Sequence, residues 1–239
     1  MSLSSNFPDT IPVSRTSYRP LTIALPKGRM LHPASSLLEK IGIIPEEPLK
    51  NSRRLLVRAP GAEAVLLIVR ATDVPVYVRF GAADVGIAGR DVLWEDGAEG
   101  IYMPVDLGMG VCRMVVAGKA DANRHQSRYR VATKYPVSTR RYFSRHHRHA
   151  DIITLHGNLE LAPLVGLADC IVDLVETGTT LRENGLVEWE TIAPISSRLI
   201  VNRASLKTRH TQVQNLIDAI RVQVDADARE KHLTDANRS

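Results

Sequence analysis

At 239 residues, 44% hydrophobic and 24% charged, the chain has a globular composition and the length for one large domain or two lobes, at roughly 150 residues per domain. Its 31 Lys plus Arg against 26 Asp plus Glu leave a net charge of +5. That mild excess suits phosphate-bearing small molecules and does not itself call for nucleic acid.

The longest apolar run, Ala64 to Val69, is far short of the roughly 20 residues a membrane span needs, and no apolar leader with a basic flank opens the chain. Cys112 and Cys170 lie far apart in apolar strands and read as reduced core thiols. A cytoplasmic protein without nucleic acid or membrane partners is expected. No metal held by protein ligands alone is expected either, because His146, His147 and His149 lie among arginines that repel a divalent cation. The Arg/His cluster over residues 140–149 reads as a solvated helix face.

Residues 1–20, with three prolines and five serines, read as a loose extension. Leu21 to Leu25 is a strand, Pro26 to Met30 a turn, and Pro33 to Ile41 a helix closed by Gly42. Strand patterns follow at Leu55 to Val57 and Val65 to Val69. Thr72-Asp73-Val74-Pro75 supplies a cap and an early proline for a helix ending at Gly81. Ala83 to Ala88 is the next strand, and Asp91 to Glu95 starts a helix. From Val105 to Gly110 the sequence turns irregular, which marks a crossover. Strands at Cys112 to Ala117, Tyr129 to Thr133, Ile152 to Leu155 and Asp169 to Val172 then alternate with helices near Pro136 to Arg148 and Leu159 to Leu167. A strand, Arg198 to Val201, precedes a helix on which Val213, Leu216, Ile217, Ile220 and Val224 share a face, with a polar tail from Asp225. The alternation predicts an α/β architecture with largely parallel sheets.

Three segments carry chemistry. In Asp173-Leu174-Val175-Glu176-Thr177-Gly178-Thr179-Thr180, an apolar strand runs into two carboxylates and a hydroxyl-rich helix start. Backbone N–H groups, a glycine and three hydroxyls fit a phosphate monoester, and the carboxylates fit ribose hydroxyls; an ordinary capped turn is the alternative. Pro26-Lys27-Gly28-Arg29 puts two cations at the carboxyl end of a strand, with Arg53 and Arg54 ahead of the next strand; a ligand site and a basic turn open to water both fit. Gly86-Ile87-Ala88-Gly89-Arg90-Asp91 ends a strand near Arg70, and Asp91 is either an N-cap or a ligand contact. No phosphate-binding G-x-x-x-x-G-K-[ST] occurs, and Gly108-Met109-Gly110 fails the dinucleotide fingerprint because Arg113 holds its last glycine position.

In order, these segments resemble the short-form ATP phosphoribosyltransferases, which catalyse the first step of histidine biosynthesis. The likeness runs from Leu21 to Asn202 through Ala24-Leu25-Pro26-Lys27-Gly28-Arg29, Arg70-Ala71-Thr72-Asp73-Val74-Pro75, Gly81 to Asp91, Ala132-Thr133-Lys134-Tyr135, Glu160 to Asp169, and Asp173 to Leu186 with Ser196 to Asn202. The resemblance implies a two-lobed, periplasmic-binding-protein-like α/β fold with the active site in its cleft and no C-terminal regulatory domain. Lobe I would take residues 21–105 plus 194–239, and lobe II residues 106–193. It implies transfer of the phosphoribosyl group of phosphoribosyl pyrophosphate to N1 of ATP, with Mg²⁺ held mainly by substrate phosphates. Carried over by position, Asp173, Glu176, Thr177, Gly178, Thr179 and Thr180 bind phosphoribosyl pyrophosphate. Lys27, Gly28, Arg29, Arg70, Asp91 and Asp173 bind ATP, and Arg29 and Arg53 stabilise the leaving group. The implied assembly is a homodimer alone and a hetero-octamer with a regulatory subunit resembling histidyl-tRNA synthetase. A non-catalytic two-lobed binding protein is the rival expectation.

Overall fold

The computed structural model describes residues 19–49, 53–124 and 126–236. Most of the expected N-terminal extension therefore lies outside the described residues. Two sheets organise the chain. The first has the order β2(Leu56–Ala59), β3(Ala64–Val69), β1(Leu21–Pro26), β4(Val85–Gly89), β11(Ser197–Asn202), β5(Ile101–Asp106). The second has the order β10(Leu186–Ile195), β6(Cys112–Lys119), β9(Cys170–Val175), β7(Arg128–Thr133), β8(His149–Thr154). The chain passes between the sheets through residues 107–111 and returns at Ser196. The returning strand β11 is inserted between β4 and β5.

Apolar central strands are buried on both faces, and strand periodicity deals their side chains alternately to each. In β1, Ile23 and Leu25 join the core under α1(Leu31–Lys40) and α8(His210–Ala236), while Ala24 faces the opposite core with α2(Val74–Arg79) and α3(Arg90–Asp96). In β6, Val115 and Ala117 face a core shared with α5(Leu161–Leu164) and α6(Thr179–Glu183), and Met114 and Val116 face Phe143 of α4(Pro136–Arg145). The remaining helix is α7(Arg203–Thr208).

A buried carboxylate ties chain ends to the first sheet. Asp84, with no exposed surface, accepts hydrogen bonds from Thr22 N (2.9 Å), Arg19 (2.9 Å), Ser205 Oγ (2.7 Å) and Arg209 (2.8 Å). Four donors satisfy a charge that burial would otherwise make costly.

Several expectations change. The sheets are mixed, because β2, β11, β5, β6 and β10 all pair antiparallel. Strands β5 and β10 have no counterpart in the sequence reading. Among the described residues β10 pairs with β6 alone; it breaks register at Glu188/Glu190 and Thr191/Ala193, and so loses the two-residue period that marks a strand. Asp73 ends up before α2 without a side-chain cap bond. The polar segment from Asp225 continues α8 as far as Ala236.

Candidate functional site

Parallel pairing gathers the basic and acidic candidates of the first sheet along one edge. β1 pairs in register with β3, Pro26 opposite Val69, so Lys27 and Arg70 leave the sheet side by side. β4 flanks β1 on its other side and delivers Asp91 from the first turn of α3. β2 runs antiparallel, Leu56 opposite Leu67, so Arg53 at its N-terminal approach reaches the same edge. That edge lies at the carboxyl ends of the parallel strands, where ligands bind in open α/β sheets.

The turn after β1 is short and defined. Lys27 N donates to Val69 O (2.7 Å), Leu31 N donates to Gly28 O (3.0 Å), and Gly28 takes φ +98°. Arg29, projecting from this turn, lines a cleft of about 230 Å³ together with Glu160, Asp173 and the whole run from Leu174 to Leu181. The structure thus brings Arg29 of the first sheet against the Glu176–Thr180 loop of the second. Lys27, Gly28, Arg53, Arg70 and Asp91 share the edge without lining that cleft.

The loop is built tightly. β9 extends to Val175, so Asp173 sits within the strand rather than after it. Thr177 and Thr179 hydroxyls meet at 3.0 Å. Arg182 donates to Thr177 O (3.0 Å) and Thr179 Oγ1 (3.1 Å), and Arg113 donates to Glu176 O (3.1 Å). Arg113 in turn is clamped by Glu188, Nε to Oε2 at 2.9 Å. Sequence reasoning missed this bracing. For Arg182 a signal existed, since it stands three residues beyond Thr179 on one helix face; for Arg113 there was none, because Glu188 belongs to the unrecognised strand β10.

Gly178 takes φ +75°, and a Cβ there would meet Arg182 Nη1 at 3.1 Å and Glu188 Oε1 at 3.3 Å. The glycine is needed for the left-handed turn and for room beside the bracing pair. α6 beyond it is five residues long, so the loop is more a nest of N–H and hydroxyl groups than the mouth of a long helix.

Electrostatics draw the two edges together. Burial pushes the Asp173 carboxyl above its ordinary value, with Glu160 adding to the rise, while the Leu174 amide (2.8 Å) and Lys134 (3.9 Å) oppose it. Asp91 is likewise raised, first by burial and then by Glu95, against hydrogen bonds from backbone N–H groups. Both carboxylates act on Cys112 and on Tyr135, whose hydroxyl is pushed up by burial and then by Asp91 and Asp173. Cys112 is half-buried rather than a core thiol. Its thiol is raised by burial and by Asp91, Glu176 and Asp173, and Arg29 partly offsets this. Four of the expected site residues therefore lie near enough to Cys112 to act on its charge.

Two-lobed solute-binding proteins share this fold. The substrate-binding protein of an amino acid ABC transporter matches at TM-score 0.55 and 12% identity, over 88% of this chain and 94% of that one. A family model described as ATP phosphoribosyltransferase matches residues 70–222. ATP phosphoribosyltransferases of Pseudomonas putida (strain GB-1) and Pseudomonas aeruginosa (strain PAO1) are 51% and 52% identical over 206 residues, 86% of this chain and 98% of theirs. The ATP phosphoribosyl transferase (HisG:HisZ) complex from Thermotoga maritima matches at TM-score 0.76 and 35% identity, over 86% of this chain and 99% of that one. The chain belongs to the ATP phosphoribosyltransferase family. Its activity is that of a pentosyltransferase at the first step of histidine biosynthesis, which displaces the non-catalytic reading.

Proposed function

We propose that the transfer takes place where Arg29 faces the Glu176–Thr180 loop, with phosphoribosyl pyrophosphate held by that loop and ATP along the edge formed by Lys27, Gly28, Arg29, Arg70 and Asp91. The observation that carries this reading is the shared cleft of Arg29, Asp173 and the loop. Thr177, Gly178, Thr179 and Thr180 take the 5-phosphate, Glu176 and Asp173 accept ribose hydroxyls, and Asp173 also borders the nucleotide. We assign the two lobes to residues 21–105 plus 194–239 and 106–193, which leaves this cleft between them.

Adenine N1 carries its own lone pair, so bond formation to C1 of the ribose needs no strong base; the C1–O bond breaks and pyrophosphate leaves with the electron pair. The protein's work is positioning and neutralising charge on the leaving group. Arg29 and Arg53 supply that neutralisation through forked donors. Mg²⁺ would be carried mainly on the substrate phosphates, with Asp173 and Glu176 beside it. Mg²⁺ so bound would add positive charge at the pyrophosphate.

The likeness to a HisG:HisZ complex supports assembly with a histidyl-tRNA-synthetase-like regulatory subunit, in a hetero-octamer, from a homodimer of this chain. Among the described residues no helix is long and apolar enough to cross a membrane. A cytoplasmic location is the reading that suits a relative of biosynthetic enzymes. The reading is tested by pyrophosphate release. It should require ATP and phosphoribosyl pyrophosphate together, and release with either substrate alone would overturn it.

A further inference from the structure

A cavity of about 460 Å³ lies where α3, α4 and the end of β10 meet. It shares no lining residue with the cleft that holds Arg29 and the Glu176–Thr180 loop. Its walls bring together Arg90 from α3 and Arg141, Arg145 and His146 from α4 and its C-cap, and no acidic residue lines it. Among the described residues none of the three arginines makes an ion pair with a carboxylate. The Arg90 guanidinium lies 4.8 Å from the centre of the Trp94 ring, which holds it in place without consuming its N–H donors.

The carboxylates next to this cavity are already engaged. Glu190 is bound by Arg148 (2.7 Å) and by the Tyr142 hydroxyl. Glu95 accepts the backbone N–H groups of Val137 (3.0 Å) and Ser138 (2.7 Å). The second contact fixes one wall, since Val137 and Ser138 both line the cavity. Ser138 is 7% exposed, and its Oγ is buried with no hydrogen-bond partner. A buried hydroxyl without a partner is unusual and costly, and this one belongs to a residue in the cavity wall.

We propose that this cavity is a second anion site, which takes the multiply charged phosphate chain of a small molecule. Three forked guanidinium groups converging on one space match several phosphoryl oxygens at once, which a single carboxylate ligand would not use. The walls come from helices of both sheets, so an occupant bridges α3 and α4.

The test is calorimetric titration of the full chain with inorganic tripolyphosphate and, separately, with ATP. Arg141→Ala/Arg145→Ala should remove one saturable site or weaken it about tenfold or more, the loss of charge-assisted hydrogen bonds. Loss in both titrations, or in one alone, supports the site and says whether a free polyphosphate or a nucleotide fills it. A double variant that titrates like wild type with both ligands overturns the proposal. Both arginines are exposed on α4, and Arg141→Gln/Arg145→Gln repeats the test with helix and side-chain length preserved. Arg29→Ala, titrated in parallel, reports on the catalytic cleft alone. If it binds like wild type while the double variant loses a site, the assignment of Arg29 fails and this one stands.

Discussion

The carboxylate of Glu95 on α3 accepts the backbone N–H of Ser138 in the first turn of α4, at 2.7 Å, so a helix of one sheet is capped by a side chain from a helix of the other. Helix N-termini leave N–H groups unpaired and carry partial positive charge, and a carboxylate answers both. Tyr135, the residue before α4, provides no side-chain cap itself. Glu95→Ala should therefore lower stability by about 1–2 kcal/mol, as a lost cap does, and raise KM by loosening the two sheets. Glu95→Gln should retain much of the stability. Thermal unfolding with steady-state kinetics on both variants checks this; an unchanged Tm in Glu95→Ala would show that the cap is idle.

Gly178→Val should cut turnover by about a hundredfold or more, because a β-branched residue resists a left-handed backbone and its side chain would displace Arg182 and Glu188. Far-ultraviolet circular dichroism should stay close to wild type, since the loop lies outside both sheets. Wild-type turnover and KM in this variant would remove the loop from the site.

Arg29→Ala and Arg53→Ala should each lower the rate of the chemical step about tenfold or more, as a cation meeting developing negative charge is worth a few kcal/mol where bound substrates exclude water. Lysine should rescue only in part, having one compact charge in place of a fork. Single-turnover measurements decide it. A normal chemical step in Arg53→Ala would leave that residue no role in the departure of pyrophosphate.

Asp173 sets stability against function. Its folded pKa stands above the ordinary 3.8 because of burial, so the folded state holds the proton more tightly than the unfolded state and the ionised carboxylate opposes folding. That penalty is absent below pH 3.8, grows as pH rises through the folded value and is complete above it. Asp173→Asn should thus be more stable than wild type at neutral pH and lose this advantage in acid, while turnover falls about tenfold or more because an amide is a poorer acceptor for ribose hydroxyls. Denaturant unfolding at several pH values gives the first half and steady-state assay the second.

The sequence showed the site's parts more clearly than their scaffolding. Apolar runs such as Leu21 to Leu25 and Val65 to Val69 announce central strands because burial on both faces leaves no other composition possible. The Asp173–Thr180 segment was legible because its residue types are local and consecutive. What escaped was set by long-range pairing. β10, with two breaks in register, carries Glu188 to Arg113 across 75 residues, and nothing local to either residue signals the other. Cys112 was misplaced for the same reason. Its strand looks apolar, yet its surroundings include Asp91, Asp173 and Arg29 from three other segments.

Because β11 is wedged between β4 and β5, the order of synthesis and the order of assembly differ. Among the described residues β5 has only β11 as a partner, and β11 is made about ninety residues later. β5 cannot pair with β11 until the strands of the second sheet, continuous from Cys112 to Ile195, have been made. Late closure of distant strands is slow and leaves edges exposed in the meantime. The whole of the second sheet is therefore synthesised before β5 can meet its partner.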